Sequence, residues 1–269
     1  MLQDYGTSAD PGIFAAQWRA WDARMERALA SRLPDAETPP ARLHAAMRYS
    51  VQGGSARVRA ALLFATARTV ELREDEVEAA ACALELMHAY ARVHDALVHL
   101  ADADPCDLRP ACHEAYDEAT AILVGDALPP LAFQLLADDV SLPADPEIRL
   151  RLVELLARAG GAPAITGGAR PDGSGTPRYA RNAGALIGAA VRLAAACAPS
   201  LDAPLKAALE HYAGLIGIAV PLREDAGALD RVHALHAQSL DALAPFGARA
   251  VPLRLLTDWL LTRETPAGG

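Results

Sequence analysis

Three side chains between positions 95 and 102 have the types and spacing that divalent-metal chemistry uses. Asp95, His99 and Asp102 recur at i, i+4 and i+7, with His88 two helical turns before Asp95. On a helix these residues form one stripe, and carboxylate with imidazole at that spacing can share an ion. The same stripe can equally be a polar groove lining in which His99 bonds only to Asp95 or Asp102. A second set, Arg57, Arg59 and His88, has the donors for a phosphate group, since a guanidinium offers a planar pair of N–H groups to an oxyanion. Its structural alternative is an arginine paired to a surface carboxylate such as Glu85. A third set, the adjacent carboxylates Glu224 and Asp225, can hold one magnesium ion or stand solvated.

These residues must be positioned by helices. The chain is 52% hydrophobic but only 5% aromatic, rich in Ala and Leu, and has no run of alternating β-branched residues, a pattern that favours packed helices over sheets. Helical periodicity predicts elements at Pro11–Arg32, Ala41–Val51, Ala56–Val70, Arg73–Ala101, Glu114–Asp139, Pro146–Ala159, Arg178–Cys197, Ala203–Val220 and Leu229–Leu243, with a last helix ending near Leu261. The separators are short and rich in Gly and Pro, and composition does not shift across the glycine-rich stretch from Gly160 to Gly175. The expectation is an all-α fold, a bundle around a central cleft, with residues 1–269 as one domain. Pro221 directly follows the predicted Ala203–Val220 helix, and if the helix continued through it the missing N–H should kink it at a cost of about 3 kcal/mol or more. Trp18, Trp21 and Trp259 sit in the terminal helices and are expected to dock them onto the bundle.

Charge and cysteine usage exclude some functions. With 25 basic against 34 acidic side chains, net charge -9 and scattered arginines, the chain is not expected to bind nucleic acid. The cysteines at 82, 106, 112 and 197 have no C-x-x-C pair or zinc spacing, so free thiols are expected. The start lacks a signal-like pattern, and no uncharged apolar run reaches about 18 residues. A cytoplasmic protein without membrane association is expected.

Several segments resemble the trans-isoprenyl diphosphate synthase family, also called polyprenyl synthetases, which includes farnesyl diphosphate synthase. They are LHAAMRYSVQGGSARVRAALLFATA, AAACALELMHAYARVHDALVHLADADP, RPACH, AILVGDALPPLAFQLL, NAGALIGAAVRLAA and HYAGLIGIAVPLRED, covering about residues 41 to 228 in the family's order. The resemblance implies a cleft in which two Asp-rich motifs hold magnesium against the diphosphate leaving group, with Lys and Arg around it. The first motif, Asp-Asp-x-x-x-x-Asp, falls on Asp95, Ala96 and Ala101, and the Arg pair after it on Cys106 and Asp107. The second, Asp-Asp-x-x-Asp, falls on Glu224, Asp225 and Ala228, preceded by Val220-Pro221 where the family has Phe-Gln. Asp95, Asp102, Glu224 and Asp225 would thus be vestiges of the metal motifs. The lysine of the Gly-Gly-Lys-Arg-x-Arg-Pro motif falls on Ala56, a later Lys-Thr on Asn182-Ala183, and a Gln on Ala169. Arg57, Arg59 and the isopentenyl-diphosphate histidine, His88, remain. Tyr90, five residues before Asp95, falls where the family places an aromatic floor for the chain-length tunnel, although an aromatic there can also be plain core. Cys112 and His113 match a structural turn.

The resemblance implies a homodimer, with Glu114–Asp139 as the apolar mid-chain helix that supplies the contact. Because the losses fall on one chemical task, the expected function is a catalytically impaired homologue that binds or regulates a partner. That partner would be an active prenyltransferase, or an unrelated metabolic enzyme such as one handling sugar phosphates. The alternatives are a divergent but active geranyl- or farnesyl-diphosphate-forming prenyltransferase that uses magnesium, and a binding protein for an isoprenoid or other apolar ligand.

Overall fold

A computed structural model of the chain describes residues 11–52, 57–98, 109–161, 178–223 and 225–262. Among the described residues all regular structure is helical. The longer elements are α1 (Pro11–Arg32), α2 (Ala41–Val51), α3 (Val58–Thr69), α4 (Glu78–Val98), α5 (Cys112–Ala115), α6 (Glu118–Asp138), α7 (Pro146–Gly160), α8 (Arg178–Ala196), α9 (Ala203–Leu222), α10 (Leu229–Ala242) and α11 (Val251–Thr262). Short 3-10 turns occupy Glu74–Glu76, Ala226–Ala228 and Ala244–Ala250.

Helix starts follow local chemistry. Asp117, Asp145 and Asp202 each precede a helix and accept from its first-turn N–H groups, those of Thr120 at 2.6 Å, Glu147 at 2.9 Å and Leu205 at 2.9 Å. The Asp117 cap divides the predicted Glu114–Asp139 helix into α5 and α6. Similarly, Arg73–Ala101 is not one helix. Its first turn is 3-10, closed by Glu76 accepting from the Arg73 N–H at 2.8 Å, and α4 begins only at Glu78. Residues 99–101 of that expectation lie outside the described residues.

The core is built around α3, which is buried along nearly its whole length: Ala60 to Ala65, Ala67 and the back-bonded Thr66 and Thr69 are all buried. Helices α1, α4, α8 and α11 surround it. Opposite lies the close pairing of α4 with α6, whose Val124, Leu128, Ala132 and Leu136 form an inward stripe. Helix α6 is, among the described residues, the one long and apolar enough to cross a membrane. That inward stripe is part of the same hydrophobic core. Helices α8 and α9 meet backbone to backbone through Gly184 and Gly217, where an added Cβ on Gly184 would lie 2.2 Å from the Gly217 carbonyl oxygen.

The terminal helices dock as their tryptophans predict. Trp18 of α1 stacks on Trp259 of α11 with ring centroids 4.5 Å apart. Trp21 is buried beside Phe64, its Nε1 donating to Glu74 at 2.7 Å.

Candidate functional site

The candidate site residues that can be placed lie at the start of α3, along α4 and just beyond α9. Arg57, the residue before α3, adopts left-handed backbone geometry (φ 44°). Its side chain turns into the interior, where Nη1 donates to Glu85 Oε2 at 3.1 Å, and Nη2 donates to Glu26 Oε1 and to the Val51 carbonyl, each at 2.6 Å. Burial opposes the charge, but Glu85 and Glu26 outweigh it and hold the guanidinium above its ordinary pKa. Arg57 is therefore a framework cation, and its assignment to a phosphate cradle is corrected. Glu85 is not a surface carboxylate: it is buried, and its second oxygen accepts from the Ala60 N–H at 3.3 Å. The same cluster lifts the Asp22 carboxyl above its usual range, chiefly by burial, with Arg57 opposing and Glu26 and Glu85 adding to the rise.

Arg59 and His88 are both buried. Burial first, then the positive charges of Arg59, Arg92 and Arg57, push the His88 imidazole well below its ordinary value, so it is neutral at physiological pH. Arg92, which its sequence position alone did not single out, adds positive charge at His88. It lies one helical turn after His88 and three residues before Asp95 on α4.

Asp95 lies near the end of α4 and is followed by Ala96. His99, Asp102, Ala101, Cys106, Asp107, Ala56, Ala169 and Glu224 lie outside the described residues, so the His99 metal stripe cannot be placed. Asn182 and Ala183 fall within α8. Tyr90 is half-buried against the core and packs on the His94 ring at 4.7 Å. A cavity of about 440 Å³ between α7, α8 and α9, lined by Ile148, Arg151, Leu155, Arg192, Lys206 and Leu209, includes neither Tyr90 nor His88.

At the second acidic segment Pro221 does not kink a longer helix. It is the penultimate residue of α9, buried and facing Gly184, and the helix stops at Leu222. The following turn is tied elsewhere, with Arg223 Nη1 donating to the Leu260 carbonyl at the end of α11, at 2.5 Å. Asp225 caps the next 3-10 turn, its Oδ1 accepting from the Gly227 N–H at 2.9 Å. Among the described residues no three His, Cys, Asp or Glu side chains are grouped to hold a metal ion. Asp95 and Asp225, the two motif carboxylates that can be placed, do not by themselves make a magnesium site.

A family model described as polyprenyl synthetase matches residues 40–162. The farnesyl diphosphate synthase of Haemophilus influenzae is 32% identical over 225 residues, which cover 80% of this chain and 76% of that protein. The chain belongs to the polyprenyl synthetase family. The farnesyl diphosphate synthase of Geobacillus stearothermophilus is 34% identical over 208 residues, 69% of this chain and 66% of that protein. Among solved structures, an FPP/GFPP synthase from Zymomonas mobilis superposes with a TM-score of 0.80 at 28% identity, covering 93% of this chain and 100% of that one. The all-helical isoprenoid-synthase architecture expected from the motifs is thus the fold of this polyprenyl synthetase homologue.

Proposed function

We propose that this polyprenyl synthetase homologue does not turn over allylic diphosphates and acts by binding, exerting its effect on a partner enzyme. One arrangement carries the reading: α9 ends at Leu222, and Asp225 turns back to cap the Ala226–Ala228 turn. In an Asp-Asp-x-x-Asp motif the first and last carboxylates share a helical face and can approach one ion together. Here the backbone is no longer helical at Asp225, and position 228 is alanine. Ala96 on α4 removes a carboxylate from the other motif. Metal and cationic contacts to a departing diphosphate each stabilise the transition state by about several kcal/mol, so the combined loss is expected to abolish turnover.

The discriminating assay incubates the chain with isopentenyl and dimethylallyl or geranyl diphosphate plus magnesium and analyses the products. No prenyl product is expected. Turnover above roughly 1 per second, the low end for ordinary enzymes, would overturn the reading. The alternative, an active prenyltransferase of the farnesyl diphosphate synthase type, draws support from the buried Arg59 and His88, and the same assay separates the two.

The surface proposed for self-association is the outer face of α6, where Ile122 and Leu123 are 49% and 53% exposed. A homodimer through this face predicts that Ile122→Asp with Leu123→Asp halves the mass seen by light scattering. A wild-type chain that is monomeric at micromolar concentration would overturn it.

A further inference from the structure

The cavity of about 440 Å³ between α7, α8 and α9 has a volume within the range of small-molecule sites, about 300–1,000 Å³. Its floor is apolar: Leu155 and Leu209 are buried, and Ile148 and Ala195 are half-buried. One wall is an internal ion pair. Arg192 of α8 lies across Gly188, where an added Cβ would fall 2.7 Å from its Nη1, and its Nε donates to both carboxylate oxygens of Glu210 on α9, at 2.8 and 2.9 Å. That pair neutralises itself. Asp145 and Glu147 stand at the start of α7, where Asp145 caps the Glu147 N–H and the helix dipole accommodates both negative charges. Two lining cations are left without a carboxylate of their own. Arg151 shares Glu154 with Arg158, two guanidinium groups on one carboxylate. Lys206, exposed on α9, makes its one hydrogen bond among the described residues to the Pro199 carbonyl, at 3.5 Å. It is also the single lysine among 25 basic side chains, so this rim is where the chain departs from arginine. Its ammonium is a compact charge on a flexible stem, able to follow a bound head group.

We propose that this cavity is a ligand site for a small single-chain amphiphile, whose anionic head, a carboxylate or phosphate monoester, pairs with Lys206 and Arg151 and whose apolar chain covers Ile148, Leu155 and Leu209. The apolar floor supplies most of the affinity, and the two cations fix the orientation of the chain. Neither Asp95 nor Asp225 lines the cavity, so the site is distinct from the Asp-rich motifs and holds whether or not the chain turns over allylic diphosphates.

The test is a calorimetric titration of the full chain with octanoate, octyl phosphate and neutral octanol, each below its aggregation threshold. Both anions are expected to bind more tightly than octanol, and the tighter of the two identifies the preferred head group. Lys206→Met is expected to weaken the anions by about fivefold, the upper range for an exposed ion pair, and to leave octanol unchanged, while Lys206→Arg keeps the affinity. Ala195→Phe, which fills the floor, is expected to abolish measurable binding, and Ile148→Ser serves if that variant does not fold. The single lysine gives a direct readout: isotopic reductive methylation labels Lys206 and the α-amino group, and the Lys206 resonance is expected to move as octanoate is added. A Lys206 resonance that stays in place at saturation, or equal affinity of wild type, Lys206→Met and Ala195→Phe, puts the amphiphile elsewhere and overturns the site. Octanol binding as tightly as the anions overturns the charged head group, and failure of wild type to bind either anion overturns the proposal as a whole, whatever the prenyl transfer assay returns.

Discussion

Arg57 and Glu85 face each other across the α3–α4 contact, Nη1 to Oε2 at 3.1 Å, with side chains 5% and 0% exposed. Taking two charges this far from water is unfavourable, and their attraction compensates only while both are present. The pair also joins the start of α3 to α4 one turn before His88, so it positions Arg59 and His88 relative to each other.

Glu85→Ala is therefore expected to destabilise the fold by about 3 kcal/mol or more, because it removes the fully buried carboxylate that faces a buried guanidinium. Replacing both partners, Arg57→Leu with Glu85→Leu, should cost less than the single change. Urea denaturation of the three proteins measures this, and a double variant less stable than Glu85→Ala would contradict the uncompensated-charge account.

His88 predicts a pH dependence with a definite sign. The folded imidazole stays neutral below its ordinary 6.5, whereas the unfolded chain takes up a proton there, so the unfolded state binds more protons. Stability should fall as pH drops below about 6.5 toward the depressed folded value. In His88→Gln this slope should be reduced between about pH 6.5 and 5, and parallel stability curves for the two proteins would show that His88 contributes none of it.

Two glycines one helix apart should respond in opposite ways. A Cβ at Gly184 would collide with the Gly217 carbonyl and force α8 from α9, at an expected cost of about 1–3 kcal/mol. A Cβ at Gly214 meets nothing within 4 Å, so Gly214→Ala should gain about 0.5–1 kcal/mol from helix propensity. Thermal melting of the two variants checks both signs.

The thiols of Cys82 and Cys197 are each pushed up to about 12 by burial, and both are sealed in the core. Neither should react with an exposed-thiol reagent at pH 8 until the chain unfolds. Mass spectrometry after timed labelling identifies the modified positions, and prompt labelling of either cysteine would show that its helix opens in the native state.

Much of the helical framework was legible because its signals are local. Pro39-Pro40 bars a continuous helix, Asp145-Pro146 and Asp202-Ala203-Pro204 announce N-termini, and an apolar stripe at helical spacing selects the buried face of α6. Where a local signal was overlooked the boundary was wrong: Asp117 caps a new helix within the predicted Glu114–Asp139 span. The family was legible for a different reason, since its motifs keep their order and spacing along the chain.

The roles of the charged residues were not legible, because a side chain's role depends on what lies across the cleft. Arg57 and Arg59 are the same residue type two positions apart. Both are buried, but Arg57 is paired with carboxylates 31 and 28 residues away, whereas Arg59 adds positive charge at His88. Sequence alone determined that this chain is a helical polyprenyl synthetase homologue, since periodicity, caps and motif order are written locally. Only tertiary structure decided that Arg57 is framework, that Glu85 is buried, and that Asp225 caps a turn beyond the end of α9. Those outcomes depend on burial and on partners brought together by folding, which spacing along one chain does not specify.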